Sequence, residues 1–367
     1  MKGYAKPLNE FICGQQIQFV IPVYQRNYDW LQDNCDQLLS DLVKLIHSGR
    51  TSHFFGSIVT SVAGTGFSRL VIDGQQRLTT ISLLLLAGIK AVNDGLLEIS
   101  NESRKDEAYD LFLNAKYCNS ERKIKLVPIE NDRIAYDKIF NGEDELDEDS
   151  KITRNFRHFY DKLTRKPQQL TFDNLLDAVE HLQIISIELD ADDDAQLIFE
   201  SLNSTGLALT EADKIRNYLL MSLTAEEQQL CFKNYWQKIE SATENNPTKF
   251  LRDYLTIKQQ LQRPVRLSNI YFEWKKYMDG RDRKQEMVEM LDYARYYQQV
   301  TEAQMATSKL SAKMRHICNI ESDVTNVFFI QFLKYAATNN LSYDEIDNVI
   351  DVVENYLARR IICNMPG

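Results

Sequence analysis

The stretch R-L-V-I-D-G-Q-Q-R-L-T-T-I-S-L-L-L-L-A-G-I-K-A-V, residues 69–92, decides the fold of the first part of the chain. Arg69–Ile72 has the apolar, β-branched character of a short strand, and Asp73–Gly74 is a tight turn. Asp-Gly is also a strong signal for a β-hairpin, so a returning strand is one alternative. The apolar run Leu83–Ala87 favours a helix instead, and we predict that this helix ends near Val92.

The flanking sequence predicts an α+β fold, with a small mixed α/β domain followed by predominantly helical domains. The other predicted strands are Gln18–Pro22, Phe54–Val62, Lys123–Pro128 and Leu182–Leu189. The predicted helices before residue 190 also include Trp30–His47, Glu102–Ala115, Ile152–Leu163 and Phe172–His181. Because 367 residues exceed one ordinary core, we predict domains at 1–92, 93–222 and 223–367, the last of them all-helical.

The composition is that of a globular protein, with 44% hydrophobic and 26% charged residues. The strongest apolar run, Ile81–Ile89, is too short to cross a bilayer, and the first ten residues lack the apolar stretch of a signal peptide. The six cysteines form no C-x-x-C pair, which favours reduced thiols. We therefore predict a cytoplasmic protein with no membrane partner.

The formal net charge of −10 excludes a uniformly basic nucleic-acid-binding surface but not a local basic patch. Lys151–Lys166 and Lys275–Lys284 are two such clusters, and each is either a phosphate-tracking surface or a solvated helix face. The run E-D-E-L-D-E-D at 143–149 predicts a solvated loop, because like charges repel and nothing apolar anchors them.

The D-G-Q-Q-R turn has the residue types of an anion site. Backbone N–H groups at a helix start favour an anion, and Arg77 in the first turn can hold phosphate oxygens with two parallel hydrogen bonds. Gln75 and Gln76 both donate and accept, which suits a base edge, a ribose or an attacking water. Asp73 is a candidate ligand for magnesium or a hydroxyl group. On spacing alone, a hairpin turn with surface glutamine and arginine side chains remains the alternative.

A second cluster, I-P-V-Y-Q-R-N-Y-D-W at residues 21–30, lies just before a predicted helix. Its aromatic rings beside Arg26 and Gln25 suit stacking on a base or a sugar, with polar contacts at the edge. Tyr24 is the candidate ring closest to these two side chains in sequence. The alternative is a proline-led turn whose aromatic residues pack into the core.

A third cluster, Ile198–Leu220, has a glycine break between two helical halves. Thr210 and Asp213 form a start for the second helix that is similar to a capping box, with Asp where Glu or Gln is usual. Glu200, Asn203 and Asp213 are candidates for one shared pocket. Two ordinary capped helices are the alternative.

Taken in order, these segments resemble a known family. The matching motifs are I-P-x-Y-Q-R-x-Y-x-W at 21–30, F-x-G-S-I at 54–58, D-G-Q-Q-R-L-T-T-I at 73–81 and F-E-x-L-N-x-x-G-x-x-L-x-x-x-D at 199–213. The chain resembles the ParB-like domain with a D-G-Q-Q-R motif at the N-terminus of GmrSD-type modification-dependent restriction systems. Phosphorothioate-sensing Ssp restriction effectors carry a similar domain.

The resemblance implies an α/β domain related to ParB and sulfiredoxin, followed by helical domains. It implies NTP binding and hydrolysis centred on Asp73, Gly74, Gln75, Gln76 and Arg77, with GTP as the first choice of nucleotide and Mg²⁺ held by Asp73. Residues 24–26 then either complete this pocket or sense modified DNA. The implied partners are double-stranded DNA and a nuclease domain or partner chain, and homo-oligomerisation stays open.

The chain departs from the full pattern of the family, many members of which continue into an HNH nuclease domain. His316 is the only histidine after His181, and no G-x-x-x-x-G-K-[ST] loop is present. We therefore expect no nuclease activity from this chain and no P-loop chemistry. Two functions stay open: an NTP-hydrolysing regulatory module of an anti-phage restriction system, and a non-catalytic DNA- or protein-binding scaffold.

Overall fold

The computed structural model describes residues 2–48, 50–63, 67–118, 120, 123–165, 170–190, 192–202, 209–320 and 325–363. The chain forms two compact units, Met1–Gly206 and Leu207–Gly367.

The first unit contains one mixed sheet. Its described strands are β1 Lys2–Pro7, β2 Gln18–Val20, β3 His53–Ala63, β4 Ser68–Asp73, β5 Leu126–Val127 and β6 Leu182–Leu189. The spatial order is β1-β6-β3-β4-β2-β5. The pairs β3–β6, β2–β4 and β2–β5 are parallel, whereas β1–β6 and β3–β4 are antiparallel. The segments 1–92 and 93–206 therefore share one sheet, because β5 and β6 join strands from the first of them.

The first unit also contains helices. They are α1 Leu8–Ile12, α2 Gln32–Ser48, α3 Gln75–Asn93, α4 Ser103–Ala108, α5 Glu130–Phe140, α6 Lys151–Thr164, α7 Phe172–Glu180 and α8 Ala195–Leu202, with a π-helical turn at Tyr109–Leu113. Helix α3 packs against α6 and α7. Residues 83–87 of α3 are all buried, as expected of a helix that is apolar on every side.

Most elements of the first unit follow the sequence pattern. The predicted strand at Leu182–Leu189 is confirmed residue for residue, and the predicted helix after Gly74 is α3. Strand β1 and helix α5 were not predicted. Residues 2–5 of β1 are exposed, so this edge strand has no apolar alternation, and its partner β6 lies far along the chain. Only the folded sheet brings the two together.

The second unit is helical in its described part. Its helices are α9 Glu211–Leu220, α10 Ala225–Cys231, α11 Gln237–Ala242, α12 Pro247–Lys258, α13 Ile270–Tyr277, α14 Arg283–Thr301, α15 Ser308–Ile320, α16 Asn326–Thr338 and α17 Tyr343–Ile362. A π-helical turn, Phe232–Trp236, joins α10 to α11, and a 3₁₀ turn, Leu267–Asn269, precedes α13. The buried rings of Trp236, Phe250, Tyr254 and Trp274 fill the core. The predicted α+β class is confirmed.

Two further expectations concern the whole chain. Among the described residues, no helix is long and apolar enough to cross a membrane. The cysteines are all free thiols in this structure, as the sequence spacing predicts.

Candidate functional site

The D-G-Q-Q-R segment is a strand-turn-helix. Strand β4 ends at Asp73, Gly74 adopts a φ of +99°, and α3 begins at Gln75. A Cβ atom at Gly74 would lie 3.0 Å from the side chain of Ile58 and 3.2 Å from its Cα, so both the backbone angle and the space require glycine. The hairpin alternative is therefore wrong, because the chain continues into a helix instead of returning as a strand.

The second cluster docks on this turn through two glutamine side chains. Gln25 Nε2 donates to the carbonyl oxygen of Ile72 at 2.8 Å, and Gln75 Nε2 donates to that of Arg26 at 2.8 Å. Both glutamines are buried, and Gln75 Oε1 has no hydrogen-bond partner among the described residues. The structure therefore brings the two sequence motifs together and leaves one buried acceptor beside them.

Gln76 completes the junction. Its Oε1 accepts from the backbone N–H groups of Asp29 at 2.8 Å and Trp30 at 3.2 Å, and its Nε2 donates to the carbonyl oxygen of Asn27 at 3.3 Å. Both polar atoms of the amide therefore hold the 27–30 loop. This arrangement favours a positioning role for Gln76, whereas the predicted role in orienting water stays a prediction.

Arg77 and Asp73 face each other across the first turn of α3. Arg77 Nη1 lies 3.9 Å from Asp73 Oδ2 and donates to the carbonyl oxygen of Ser57 at 3.2 Å. Burial raises the pKa of Asp73 above its usual range, while the charges of Arg77 and Arg26 and a hydrogen bond from the Gly74 N–H oppose that rise. Asp73 thus lies under the influence of two guanidinium groups.

Gly56 is a site residue that the candidate residues drawn from the sequence did not include. Its φ is +119°, and a Cβ atom there would lie 2.6 Å from Arg77 Nε. The absence of a side chain lets the guanidinium lie against the backbone of β3. A glycine inside a strand often marks such a close approach, so the F-x-G-S-I motif at 54–58 held the signal.

The aromatic residues of the second cluster point into the protein. Tyr24 and Tyr28 are 2% and 4% exposed, and burial raises the pKa of both phenols. The Tyr28 hydroxyl lies 2.7 Å from Thr80 Oγ1 and accepts from Asn155 Nδ2 at 3.0 Å. These rings pack as core residues, the alternative that the sequence left open, and they fix the loop to α3 and α6.

Two residues from later in the chain also anchor this loop. Asp132, in the first turn of α5, accepts from the Tyr28 N–H at 2.6 Å, and burial raises the pKa of Asp132 to about 6. Asp29 pairs with Arg26 at 3.5 Å and also with Lys151. Asp132 lies within no motif, and the basic cluster that contains Lys151 gave no sign of a contact with this loop, because both residues meet the loop only after folding.

The third cluster is divided between the two units. Glu200, on α8, accepts from Gln196 Nε2 at 3.1 Å. Asn203 lies outside the described residues. Asp213, on α9, forms the predicted capping box with Thr210 and pairs with Arg216 at 2.8 Å. These contacts give Asp213 a structural role within its own helix.

The metal chemistry available to the site is limited. Within the described part of the chain, no group of three or more His, Cys, Asp or Glu side chains is arranged to hold a metal ion. Asp73 is the single carboxylate of the D-G-Q-Q-R segment. A magnesium ion there fits only if phosphate and water oxygens supply most of its ligands, which is common for magnesium bound with a nucleotide.

The comparison with known proteins agrees with the motif order. The chain matches the family model described as GmrSD restriction endonuclease, N-terminal domain, over residues 8–220. This range covers more than half of the chain and includes every motif named above. No curated protein matches the chain significantly. The chain belongs to the GmrSD restriction endonuclease N-terminal domain family and is a module of a restriction system.

Proposed function

We propose that the start of α3 binds the phosphates of a nucleoside triphosphate and that the chain hydrolyses it. In this proposal the chain is the regulatory module of a modification-dependent restriction system, which senses modified DNA and controls a nuclease domain or partner chain. The observation that carries the proposal is Arg77, held in the first turn of a long helix whose N-cap residue, Gly74, has no side chain.

The electrostatics of the turn favour a phosphate group. Helix α3 has 19 residues, and the positive end of its dipole lies at Gly74. Arg77 approaches Asp73 only to 3.9 Å, beyond hydrogen-bond distance, so its guanidinium keeps donors for phosphate oxygens. Arg26 adds a second positive charge near Asp73. These groups favour an anion at the start of α3.

The side chains also suit the hydrolytic step. Arg77 stabilises negative charge that develops on the transferred phosphoryl group. Gln75 Oε1 is a buried acceptor with no partner among the described residues, and in this proposal it accepts from a water or a ribose hydroxyl once the nucleotide has entered the site. Magnesium, held by Asp73 together with the phosphates, neutralises phosphate charge when it is bound. The predicted NTP, with GTP as the first choice, is thus compatible with the residues present.

The test is phosphate release from each of the four common NTPs with Mg²⁺, in the presence and absence of modified DNA. We expect Arg77→Ala to lower kcat/KM about 100-fold, because it removes a charged hydrogen bond to phosphate worth roughly 2–3 kcal/mol. Arg69→Ala is the matched control. Arg69 lies on β4, the strand that leads to the site, and pairs with Glu188 at 3.3 Å.

Two results would contradict the proposal. No phosphate release from any NTP, with or without DNA, would rule out the hydrolytic function. Equal losses for Arg77→Ala and Arg69→Ala would show that the effect is not specific to the site.

A non-catalytic scaffold is the second candidate function, and one observation favours it. Gln76 uses both its amide oxygen and its amide nitrogen to hold the 27–30 loop. A segment whose role is to position a loop does not have to catalyse a reaction. Nucleotide binding in a calorimetric titration, together with no phosphate release, would support this alternative.

The position of a DNA-binding surface is a separate question. Four basic side chains of the first predicted cluster are engaged with carboxylates of the same chain: Lys151, Arg154, Arg157 and Lys162 pair with Asp29, Asp149, Glu148 and Asp36. These pairs reduce the positive charge that the cluster presents to phosphates. They support the interpretation of Lys151–Lys166 as a solvated helix face. We therefore propose that DNA contacts a different surface.

A further inference from the structure

A cleft of about 410 Å³ lies in the first unit at the opposite end of α3 from the D-G-Q-Q-R turn. Its walls are the C-terminal half of α3, the end of α5 with the loop that follows it, and α6. The volume lies within the range of about 300–1,000 Å³ that is typical of ligand pockets. The proposed nucleotide chemistry gives this cleft no role.

The base of the cleft is apolar and partly aromatic. Leu86, Ile139 and Phe156 are buried along it. The rings of Tyr109 and Phe140 lie 5.6 Å apart at one side, and Tyr109 is 36% exposed. An apolar side chain entering the cleft would therefore displace water from an aromatic wall, which is the usual source of affinity in such grooves.

The rim of the cleft is acidic. Glu143 and Asp144 line it, are exposed, and have no ion-pair partner among the described residues. The two cations that also line the cleft are both paired. Lys90 lies 3.1 Å from Asp94, and Arg157 pairs with Glu148. The electrostatic potential at the opening of the cleft is therefore negative.

The acidic run at 143–149 forms one border of the cleft through a contact that the sequence did not predict. The six acids are exposed, as expected of a solvated loop. Leu146, in the middle of the run, is half-buried, packs against the core and lines the cleft. The expectation that nothing apolar anchors this loop is therefore wrong. The anchor holds a dense row of carboxylates beside an apolar pocket.

We propose that this cleft is a docking site for a basic, amphipathic segment of a partner protein. An aromatic or large aliphatic side chain of that segment occupies the apolar base, and flanking lysines or arginines pair with Glu143 and Asp144. Charge complementarity selects this occupant, because the negative rim repels phosphates and acidic peptides. A buried apolar anchor surrounded by charged contacts is a common arrangement at peptide-binding grooves.

The test uses a fluorescein-labelled peptide in which lysines flank one tryptophan, titrated with the full chain and followed by anisotropy. Two matched peptides separate the contributions: glutamates replace the lysines in one, and serine replaces the tryptophan in the other. We expect the lysine–tryptophan peptide to bind at least about tenfold more tightly than either matched peptide, with an affinity that weakens as salt is added.

Variants of the chain locate the binding. We expect the double variant Glu143→Lys and Asp144→Lys to weaken the lysine–tryptophan peptide about tenfold or more, and Tyr109→Ala to weaken it without changing its salt dependence. The matched control is Glu10→Lys with Asp33→Lys, which reverses two exposed acids of the same unit outside the cleft.

Three outcomes would overturn the proposal. They are tighter binding of the glutamate peptide, equal binding of the serine peptide, and equal loss of binding in the control double variant. All of these substitutions lie at exposed or half-buried positions, so circular dichroism on each variant checks that the fold is retained.

Discussion

Helix α3 begins at the D-G-Q-Q-R turn, which carries Arg77, and ends beside an acidic cleft, and residues 78–88 between them are buried. At its start, Arg77 and Arg26 both act on Asp73, and the positive end of the helix dipole adds to their charge. At its end, exposed carboxylates border an aromatic pocket. One helix thus separates two surfaces for which we propose ligands of opposite charge. A net charge of −10 therefore does not describe the start of the helix.

The two ends also differ in how they are built. The start is held by side-chain hydrogen bonds to backbone groups of a distant loop, whereas the cleft depends on apolar packing with charges at its rim. Substitutions at the start should therefore affect stability and nucleotide binding together. They should leave peptide binding at the other end unchanged.

The largest effect is expected from Gln76→Ala. It removes three hydrogen bonds to residues 27–30, and we expect a loss of roughly 2–3 kcal/mol in the free energy of unfolding, with weaker nucleotide binding. Urea unfolding measures the first effect. Gln37→Ala on α2 is the control, because that side chain is exposed and hydrogen-bonds to Asp41 on its own helix. A change no larger than that of the control would show that Gln76 does not hold the loop.

A smaller effect is expected from Gly56→Ala. The new Cβ atom would lie 2.6 Å from Arg77 Nε, so the guanidinium must move, and we expect nucleotide affinity to fall about tenfold. Gly95→Ala is the control. Gly95 also has a positive φ, +71°, but nothing lies within 4 Å of its added Cβ. Both variants carry a backbone cost of about 1–2 kcal/mol, so only a difference in nucleotide affinity bears on Arg77. Equal affinities in calorimetric titrations would contradict the role given to Gly56.

The smallest effect is expected from Asp132→Asn. Burial raises the pKa of Asp132 from 3.8 to about 6, so its stabilising contribution is present below about pH 4 and is lost as pH rises through about 6. Asparagine still accepts from the Tyr28 N–H but does not ionise. We expect the variant to be more stable than the wild type at pH 8, by on the order of 1 kcal/mol, and equal to it near pH 4.

Thermal unfolding across this pH range checks the expectation. Asp33→Asn, at an exposed position of α2, controls for the loss of one charge. A variant that is less stable than the wild type at pH 8 would mean that the ionised carboxylate is a net stabilising group.

The fold followed from local signals where periodicity was strong. The run Leu83–Ala87 is apolar on every side, so its burial within α3 was predictable, as was the alternation in β6. Strand β1 lacked any such signal, because its residues are mostly exposed and only pairing with β6 makes it a strand. The anchoring of the acidic run was likewise not predictable from local sequence, since the partial burial of Leu146 depends on a pocket formed by helices distant in sequence.

The sequence predicted which residues belong to the candidate site better than it predicted the role of each. The family resemblance implied that residues 24–26 either complete the pocket of residues 73–77 or sense modified DNA, and the fold places the two segments in contact. The sequence did not show that Gln76 binds backbone groups, that Tyr24 is buried, or that Asp132 supports the loop. These roles depend on side-chain directions that residue spacing does not specify.

The most direct test of the central claim is a structure of the chain with a non-hydrolysable GTP analogue and Mg²⁺. We expect a phosphate group within hydrogen-bond distance of the Arg77 guanidinium and of the backbone N–H groups at the start of α3. An ordered nucleotide bound elsewhere, with Arg77 still against Ser57 and Asp73, would contradict the assignment of this turn as the phosphate site.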